Sequence, residues 1–329
     1  MRFVVVGGGG FIGSYLVEVL LRAGDEVLVI DSFANSAPIN LPQHARLRVL
    51  KQDILAEPCT IEDQFGTEAI DGLAHLAAIP SVQASWQSLV SSHQNNLSTT
   101  VAAVQLCQRW QIPRLIFTSS AAVYGDQRQL PIGETQPLKP MTPYGLQKLM
   151  GEQYLKLFAE KFGFSAIALR LFNVFGPRQA ANSPYSGVIS TFTQRMFAGL
   201  PITVYGDGAQ SRDFIYVQDV AGALAKALKI SARVGSFTVC NLGTQSQVSL
   251  LELIQILQEL IPDWTQVVHF SAPRLGDIQH SQANIQRAVE ILDWRPRWPV
   301  KEGLAELLNH LSFSSKDIPL INNYGISID

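Results

Sequence analysis

The sequence predicts an α/β fold, a doubly wound parallel sheet with a smaller C-terminal α/β lobe, on three observations. Short apolar runs alternate with longer helical patterns through the first half, a four-glycine turn joins the first run to the first helix, and the alternation loosens beyond Gly176. Phe3–Val6, Glu26–Ile30, Arg46–Leu50, Gly72–Ala77, Leu115–Ser119 and Ala166–Leu171 read as strands, since each is a brief apolar run between polar or turn residues. Ile12–Arg22, Val90–Trp110 and Tyr144–Phe162 have the length and apolar spacing of helices that cross between parallel strands. These elements place one domain over residues 1–175, with 213–235 expected to return to it, and assign 176–329 mainly to a lobe covering the carboxyl edge of the sheet. In that lobe Pro177, Pro184, Pro201, Gly206 and Gly208 punctuate loops, while Leu250–Leu260 and Val300–Leu311 read as amphipathic helices.

Composition narrows the function. With 329 residues, 47% of them hydrophobic and 16% charged, the chain can bury a large core. Lys and Arg number 25 against 27 Asp and Glu, so no basic field exists to attract nucleic acid, and none is expected as a partner. Cys59, Cys107 and Cys240 lie far apart and lack the paired spacing of zinc ligands or a disulfide framework, which fits a reducing cytoplasm and no metal. The opening MRFVVVGGGG has no secretion signal pattern, and no run of about 18 apolar residues follows, so neither export nor membrane insertion is expected.

The first strand ends in GGGGFIG at 7–13, with a helical pattern following at once. Glycines at 7, 10 and 13 permit a tight turn, close approach of a pyrophosphate and packing of helix on strand, with Phe11 and Ile12 opening a helix whose amino end faces the phosphates. A flexible turn is the plainer alternative; the strand before and the helix after favour a Rossmann-type dinucleotide site. Asp31 ends the second run, where a carboxylate can take ribose hydroxyls and would repel a 2′-phosphate, so NAD is the expected cofactor rather than NADP. Asp53-Ile54 follows the third run and either faces the adenine or simply ends the strand.

At the fifth run's end stand Ser119 and Ser120. Thr142 and Pro143 then suit the N-cap and first position of a helix that sets Tyr144 and Lys148 one turn apart on one face. A phenol titrates ordinarily near ~10, so a Tyr acting as a base near neutrality needs positive charge beside it, which Lys148 can supply. Ser120 is placed to hold a reacting hydroxyl while Tyr144 moves its proton. Tyr-x-x-x-Lys alone describes many exposed helix pairs; the order of glycine turn, acidic strand end, strand-end Ser and Tyr/Lys helix is what would bring these groups to one sheet edge.

Together these residues resemble the extended short-chain dehydrogenase/reductase family, and within it the UDP-sugar 4-epimerases that act on UDP-glucose or UDP-N-acetylglucosamine. The resemblance runs nearly end to end: GGGGFIG, Asp31 with Asn35-Ser36, HLAA at 75–78, SSAAVYGD at 119–126, PYGLQK at 143–148, LRLFNVFGPRQ at 169–179, SPYSGVI at 183–189, YGDG at 205–208, SRDFIYVQDV at 211–220 and RLGDIQHSQA at 274–283. It implies that Asn35, Ser36, Leu76, Ala77, Ala78, Asn96 and Ser119 line the NAD site and that Phe172 packs near nicotinamide. It further implies Asn173 against a substrate phosphate or sugar, Arg212 and Arg274 as diphosphate clamps, and Tyr185, Ser186, Val188, Val204, Tyr205 and Asp277 around the base and ribose. Surface salt bridges are the alternative for the two arginines.

The resemblance also discriminates among reactions. Family members that dehydrate carry an acid and a base where this chain has Ala121 and Ala122, and the decarboxylases carry Glu at Ala122; epimerisation needs Ser, Tyr, Lys and NAD. Ser81-Val82 and a small residue at Ser281 resemble the epimerases that admit N-acetylated UDP-hexosamines, His280 borders that pocket or is a structural histidine, and Pro80 and Trp86 depart from the usual substrate-side loop. The implied reaction is NAD-dependent 4-epimerisation of a UDP-hexose or UDP-N-acetylhexosamine through a transient 4-keto sugar, with the two long helices forming a homodimer interface. The rivals are another nucleotide-sugar reaction on the same scaffold, and a non-catalytic NAD-binding subunit.

Overall fold

A computed structural model describes residues 1–56, 68–179, 187–231, 233–273 and 278–316. The six runs form strands β1 (Arg2–Val6), β2 (Glu26–Asp31), β3 (Leu47–Lys51), β4 (Gly72–His75), β5 (Arg114–Ser120) and β6 (Ser165–Leu171). A seventh, β7 (Phe237–Leu242), which the sequence reading did not pick out, pairs in parallel with β6. The order across the sheet is β7-β6-β5-β4-β1-β2-β3, every pairing parallel. Chain direction across the sheet reverses between β1 and β4, so the crevice at their carboxyl ends is the switch point where ligands of such sheets bind.

Both faces of the sheet are covered, which is why its strands read as continuous apolar runs rather than alternating ones. Phe3, Val5, Val27, Val29 and Leu169 point to one face and pack with Leu16 and Leu20 of helix α1 (Phe11–Arg22); Val4, Val6, Leu28, Phe117 and Ala168 point to the other and pack with Val104 and Leu155. Leu155 belongs to helix α2 (Pro143–Phe162). Leu224 and Leu228 of helix α3 (Val217–Lys229), another element the sequence reading did not pick out, fill the α1 side. Beyond β6, a separate cluster of Phe175, Ile189, Phe192, Val204, Leu253, Leu257 and Trp264 makes the core of the following lobe. Among the described residues no helix is long and apolar enough to cross a membrane.

Two elements differ from the predicted ones for local reasons. The strand expected over Gly72–Ala77 stops at His75, because the N–H groups of Leu76 and Ala77 both turn onto the carbonyl of Val6. The single helix expected over Val90–Trp110 is helical at Leu89–His93 and Thr99–Arg109 with a π-helical turn, Gln94–Ser98, between them, and a short helix at Val82–Gln87 precedes it. The π turn carries Asn96, a position the sequence assigns to the cofactor site, and such bulges concentrate at functional sites.

Helix α1 meets β1 at Gly13, where a Cβ would stand 2.2 Å from the Gly7 carbonyl oxygen and 2.8 Å from Gly8 Cα, both backbone atoms with little room to give. Gly13→Ala is therefore expected to lower unfolding free energy by about 2 kcal/mol or more in urea titrations, whereas Gly133→Ala, which nothing approaches within 4 Å, is expected to leave the midpoint unchanged.

Candidate active site

The glycine turn sits at the switch point and leaves space for an anion. Gly7 has φ +82°, and a Cβ there would meet the Ala77 nitrogen at 2.6 Å, so turn and β4 loop approach to backbone contact. Gly10 precedes α1 with no capping side chain and no acidic residue in the first turn, so among the described residues no side chain caps the amino-end N–H groups of Phe11, Ile12 and Gly13. Asp31, buried at the end of β2, accepts from the Gly9 amide at 2.8 Å through Oδ2 and from the Phe33 amide and Ser36 hydroxyl, each at 2.8 Å, through Oδ1. A carboxylate has about four acceptor positions, so one remains on Oδ2 for a further donor. Asn35 is exposed beside it. Asp53 is exposed and accepts from the Leu55 amide at 2.9 Å, forming a turn after β3, while Ile54 packs on the core.

At the other side of the crevice, α2 starts as predicted: the Thr142 hydroxyl accepts from the Gly145 amide at 3.0 Å and Pro143 occupies the first turn. Tyr144, Lys148 and Glu152 then stand one turn apart on the face that meets β5. Tyr144 hydrogen-bonds the Ser120 side chain, Lys148 Nζ donates to the Thr118 carbonyl at 2.7 Å, and the Ser119 hydroxyl donates to Glu152 Oε1 at 2.5 Å. Ser120 Oγ also accepts from the Ala122 amide at 3.1 Å, capping the turn Ala121–Val123. Lys148 Nζ lies 5.9 Å from the Tyr144 ring centroid and 4.8 Å from that of Phe117.

Burial dominates the electrostatics. It pushes the Tyr144 phenol up to about 12, opposed by the Ser120 hydrogen bond, and lowers the Lys148 ammonium to about 7, opposed by the Glu152 charge. His75, stacked on Phe117, is lowered to about 3 by burial and then by Lys148, so it stays neutral. Near neutrality Tyr144 is therefore protonated and Lys148 is poised between its two forms.

Asn96 joins the two sides. Its Oδ1 accepts from the Ile79 amide at 2.7 Å, and its Nδ2 donates to Gln147 Oε1 at 2.8 Å, fastening the loop that holds Leu76, Ala77 and Ala78 to α2. Phe172 is buried where β6 gives way to Asn173, which is exposed, and Val188 opens the helix Val188–Phe197. On the lobe, Arg212 donates to the Ser211 carbonyl at 2.9 Å and the Gln279 carbonyl at 3.4 Å, and the amide of buried Ser281 donates to the Ser211 carbonyl at 3.1 Å. His280 Nδ1 and the Ser211 hydroxyl are 2.9 Å apart. Val204 points into the lobe core while Tyr205, next along the strand Ile202–Tyr205, is 37% exposed. Ser81 is buried and caps the helix Val82–Gln87 by accepting from Ala84, with Val82 exposed after it. Tyr185, Ser186, Arg274 and Asp277 lie outside the described residues.

Residues 3–243 match the NAD dependent epimerase/dehydratase family. The chain belongs to that family. A putative UDP-glucose 4-epimerase of Methanocaldococcus jannaschii is 31% identical over 95% of this chain and 99% of its own length. Among solved structures, the UDP-N-acetylglucosamine 4-epimerase of Methanobrevibacter ruminantium, in complex with UDP-N-acetylmuramic acid, superposes with a TM-score of 0.88 at 34% identity, covering 95% of this chain and 98% of the other. The UDP-glucose 4-epimerase of Thermus thermophilus, in complex with NAD, gives 0.84 at 31%, covering 95% and 99%.

Several residues of this family site escaped the sequence reading. Glu152 continues the four-residue spacing from Tyr144 and Lys148, and Arg170, the one charge in the apolar β6 run, grips it with two bonds of 2.9 and 2.7 Å. Arg170 also donates to the Tyr124 hydroxyl at 2.9 Å, which donates to Asn241 Oδ1 at 2.6 Å. A charge in the middle of a buried strand demands such a partner, so that signal was available. Gln147, Asn40, whose amide donates to the Gly9 carbonyl at 3.0 Å, and Asp213 left no pattern of this kind.

The Lys148 displacement has a consequence for stability. An ordinary lysine, titrating near 10.5, keeps its proton in the unfolded chain between pH 7 and that value, while the folded chain gives it up. The unfolded state then binds more protons, so stability contributed by this residue rises with pH across that window. Urea unfolding of the wild type and Lys148→Met at pH 7 and 9 is expected to show the wild type gaining relative to the variant at the higher pH; equal changes in both would contradict the buried amine.

Proposed function

We propose that the chain is an NAD-dependent 4-epimerase of a UDP-hexose or UDP-N-acetylhexosamine. The observation that carries this reading is the tip of β5 and the turn after it. Ser120 and Tyr144 share a hydrogen bond there, and the next two side chains are the methyls of Ala121 and Ala122. Glu152 and Glu134, the carboxylates of the network behind, are committed to Arg170 with Ser119 and to the Asn241 amide. Among the described residues, one phenol is thus the group placed to move a proton. Epimerisation needs one, since the proton removed from the hydroxyl oxygen returns to the same oxygen; elimination needs a second acid or base.

The residues at the switch point fit the dinucleotide. The Gly7 and Gly13 contacts leave no side chain between β1 and α1, the amino end of α1 is uncapped, and Asp31 has an acceptor position remaining for a ribose hydroxyl. NAD, when bound, supplies the hydride acceptor and donor for carbon 4. Tyr144 takes the 4-hydroxyl proton and gives it back, Ser120 holds that oxygen, and Lys148, fixed by the Thr118 carbonyl, supplies charge as the phenol ionises. Arg212 and, by resemblance, Arg274 grip the diphosphate, so that the 4-keto sugar is retained while it turns. By the same resemblance, the small side chain of Ser281 permits an acetamido group without requiring one.

Incubating the purified protein with NAD and either UDP-N-acetylglucosamine or UDP-glucose is expected to yield the 4-epimers on chromatographic separation; conversion of neither sugar would refute the reading. Tyr144→Phe is expected to lower kcat by about 10²- to 10⁴-fold with little change in KM. The helices Leu89–His93 and α2 leave Leu89, Val90, Leu146, Met150 and Leu157 exposed, an apolar surface suited to a second copy of the chain. Sedimentation is expected to give a particle of twice the 36.1 kDa chain.

A further inference from the structure

Asp213 has no exposed surface and no part in the proton chemistry, yet four donors converge on its carboxylate. Oδ1 accepts from the Thr244 amide at 2.6 Å and the Thr244 hydroxyl at 2.7 Å; Oδ2 accepts from the Gln245 amide at 3.1 Å and the Ala283 amide at 3.0 Å. Its main-chain carbonyl faces the other way and accepts from the Asn173 amide at 3.0 Å. One residue therefore fastens the segment carrying Asn173, its own neighbour Arg212, and the stretch ending two residues after Ser281. At Gly243 a Cβ would fall 2.7 Å from Asp213 Oδ2 and 2.6 Å from the Ala283 Cβ, so the loop is built to let the carboxylate in.

We propose that Asp213 is a positioning residue of the substrate cleft, setting the register of Asn173, Arg212 and Ser281 and thereby the affinity for the nucleoside-diphosphate half of the substrate. The inference rests on the reading of that cleft as a UDP-sugar site. The segments it joins are far apart in sequence and share short pairings: Phe214–Tyr216 runs parallel to Asn173–Phe175, Ser211–Arg212 bonds to Val248–Ser249, and Ser211 bridges His280. Backbone pairing that brief does not resist sliding, and a buried carboxylate satisfied from two further segments, Thr244–Gln245 and Ala283, does. Asparagine cannot replace it, because one of the two oxygens becomes a donor facing donors.

Titration calorimetry with UDP on the NAD-loaded protein, together with initial rates on the UDP-sugar, tests this. Asp213→Asn is expected to weaken UDP binding and raise KM by about tenfold, the worth of one lost hydrogen bond to a charged group, with kcat held within about threefold. Thr244→Val, which removes one donor and leaves the carboxylate, is expected to shift both in the same direction by about threefold. An unchanged UDP affinity in Asp213→Asn, or a fall in kcat at constant KM, overturns the proposal. If Asp213→Asn does not fold, Thr244→Val decides: wild-type affinity overturns it, weakened affinity at wild-type kcat supports it. A wild type that binds UDP without epimerising its sugar would sink the functional reading and leave the calorimetry to judge Asp213, whereas a wild type that binds no UDP overturns the inference itself.

Discussion

Tyr144, Lys148 and Glu152 lie one turn apart on α2 and reach three consecutive residues of β5: Ser120, Thr118 and Ser119 in turn. Helix and strand are clamped at a spacing that backbone packing alone would leave loose. Gly145 and Gly151 allow the clamp to close, since a Cβ on either would meet the Ala122 carbonyl at 2.6 Å or the Phe117 ring at 2.9 Å. The far end is anchored through Glu152 to Arg170. A buried pair of this sort is poor evidence of net stability, because desolvating two charges offsets much of their attraction. Its value here is geometric: two parallel bonds fix the carboxylate, and the carboxylate fixes Ser119, the neighbour of Ser120.

The dinucleotide end is positioned by a different device. There the chain removes side chains instead of adding bonds, and glycines bring β1, the β4 loop and α1 into backbone contact around an uncapped helix end. The two devices are not independent. Asn96 fastens the β4 loop to Gln147, which lies between Tyr144 and Lys148 on α2, so displacement of either side is felt by the other. The π turn is what allows this: an extra residue in the helix rotates Asn96 inward, and both ends of its amide are used.

The six N-terminal strands, the glycine turn, Asp31, the Thr142 cap and the Tyr144/Lys148 face were legible because each is local: a run, a φ requirement, a spacing of four. The seventh strand was not, since Phe237–Leu242 (FTVCNL) mixes polar with apolar residues, and its place in the sheet is decided by β6, which lies far back in the chain. Helix α3 was passed over although its signal was local: Val217, Val220, Leu224 and Leu228 recur at helical spacing, and Leu224 and Leu228 complete the α1 side of the core. The substrate side was least legible. Arg212 and Ser281 could be named by resemblance, but Asp213, which ties their segments together, acts through bonds to residues 31 to 70 positions away.

Burial sets the acidities where α2 meets β5. Desolvation moves phenol and ammonium in opposite directions, both towards the neutral form, so Tyr144 stays protonated beside an amine near its midpoint. In that condition the phenol is a poor base. Positive charge brought close to it, by a ligand at the mouth of the sheet and by the protonated form of Lys148, lowers the cost of ionising it, and in a site from which water is excluded each such charge counts for more than it would at the surface. The same burial that raises the phenol is therefore what makes it responsive to charge placed beside it.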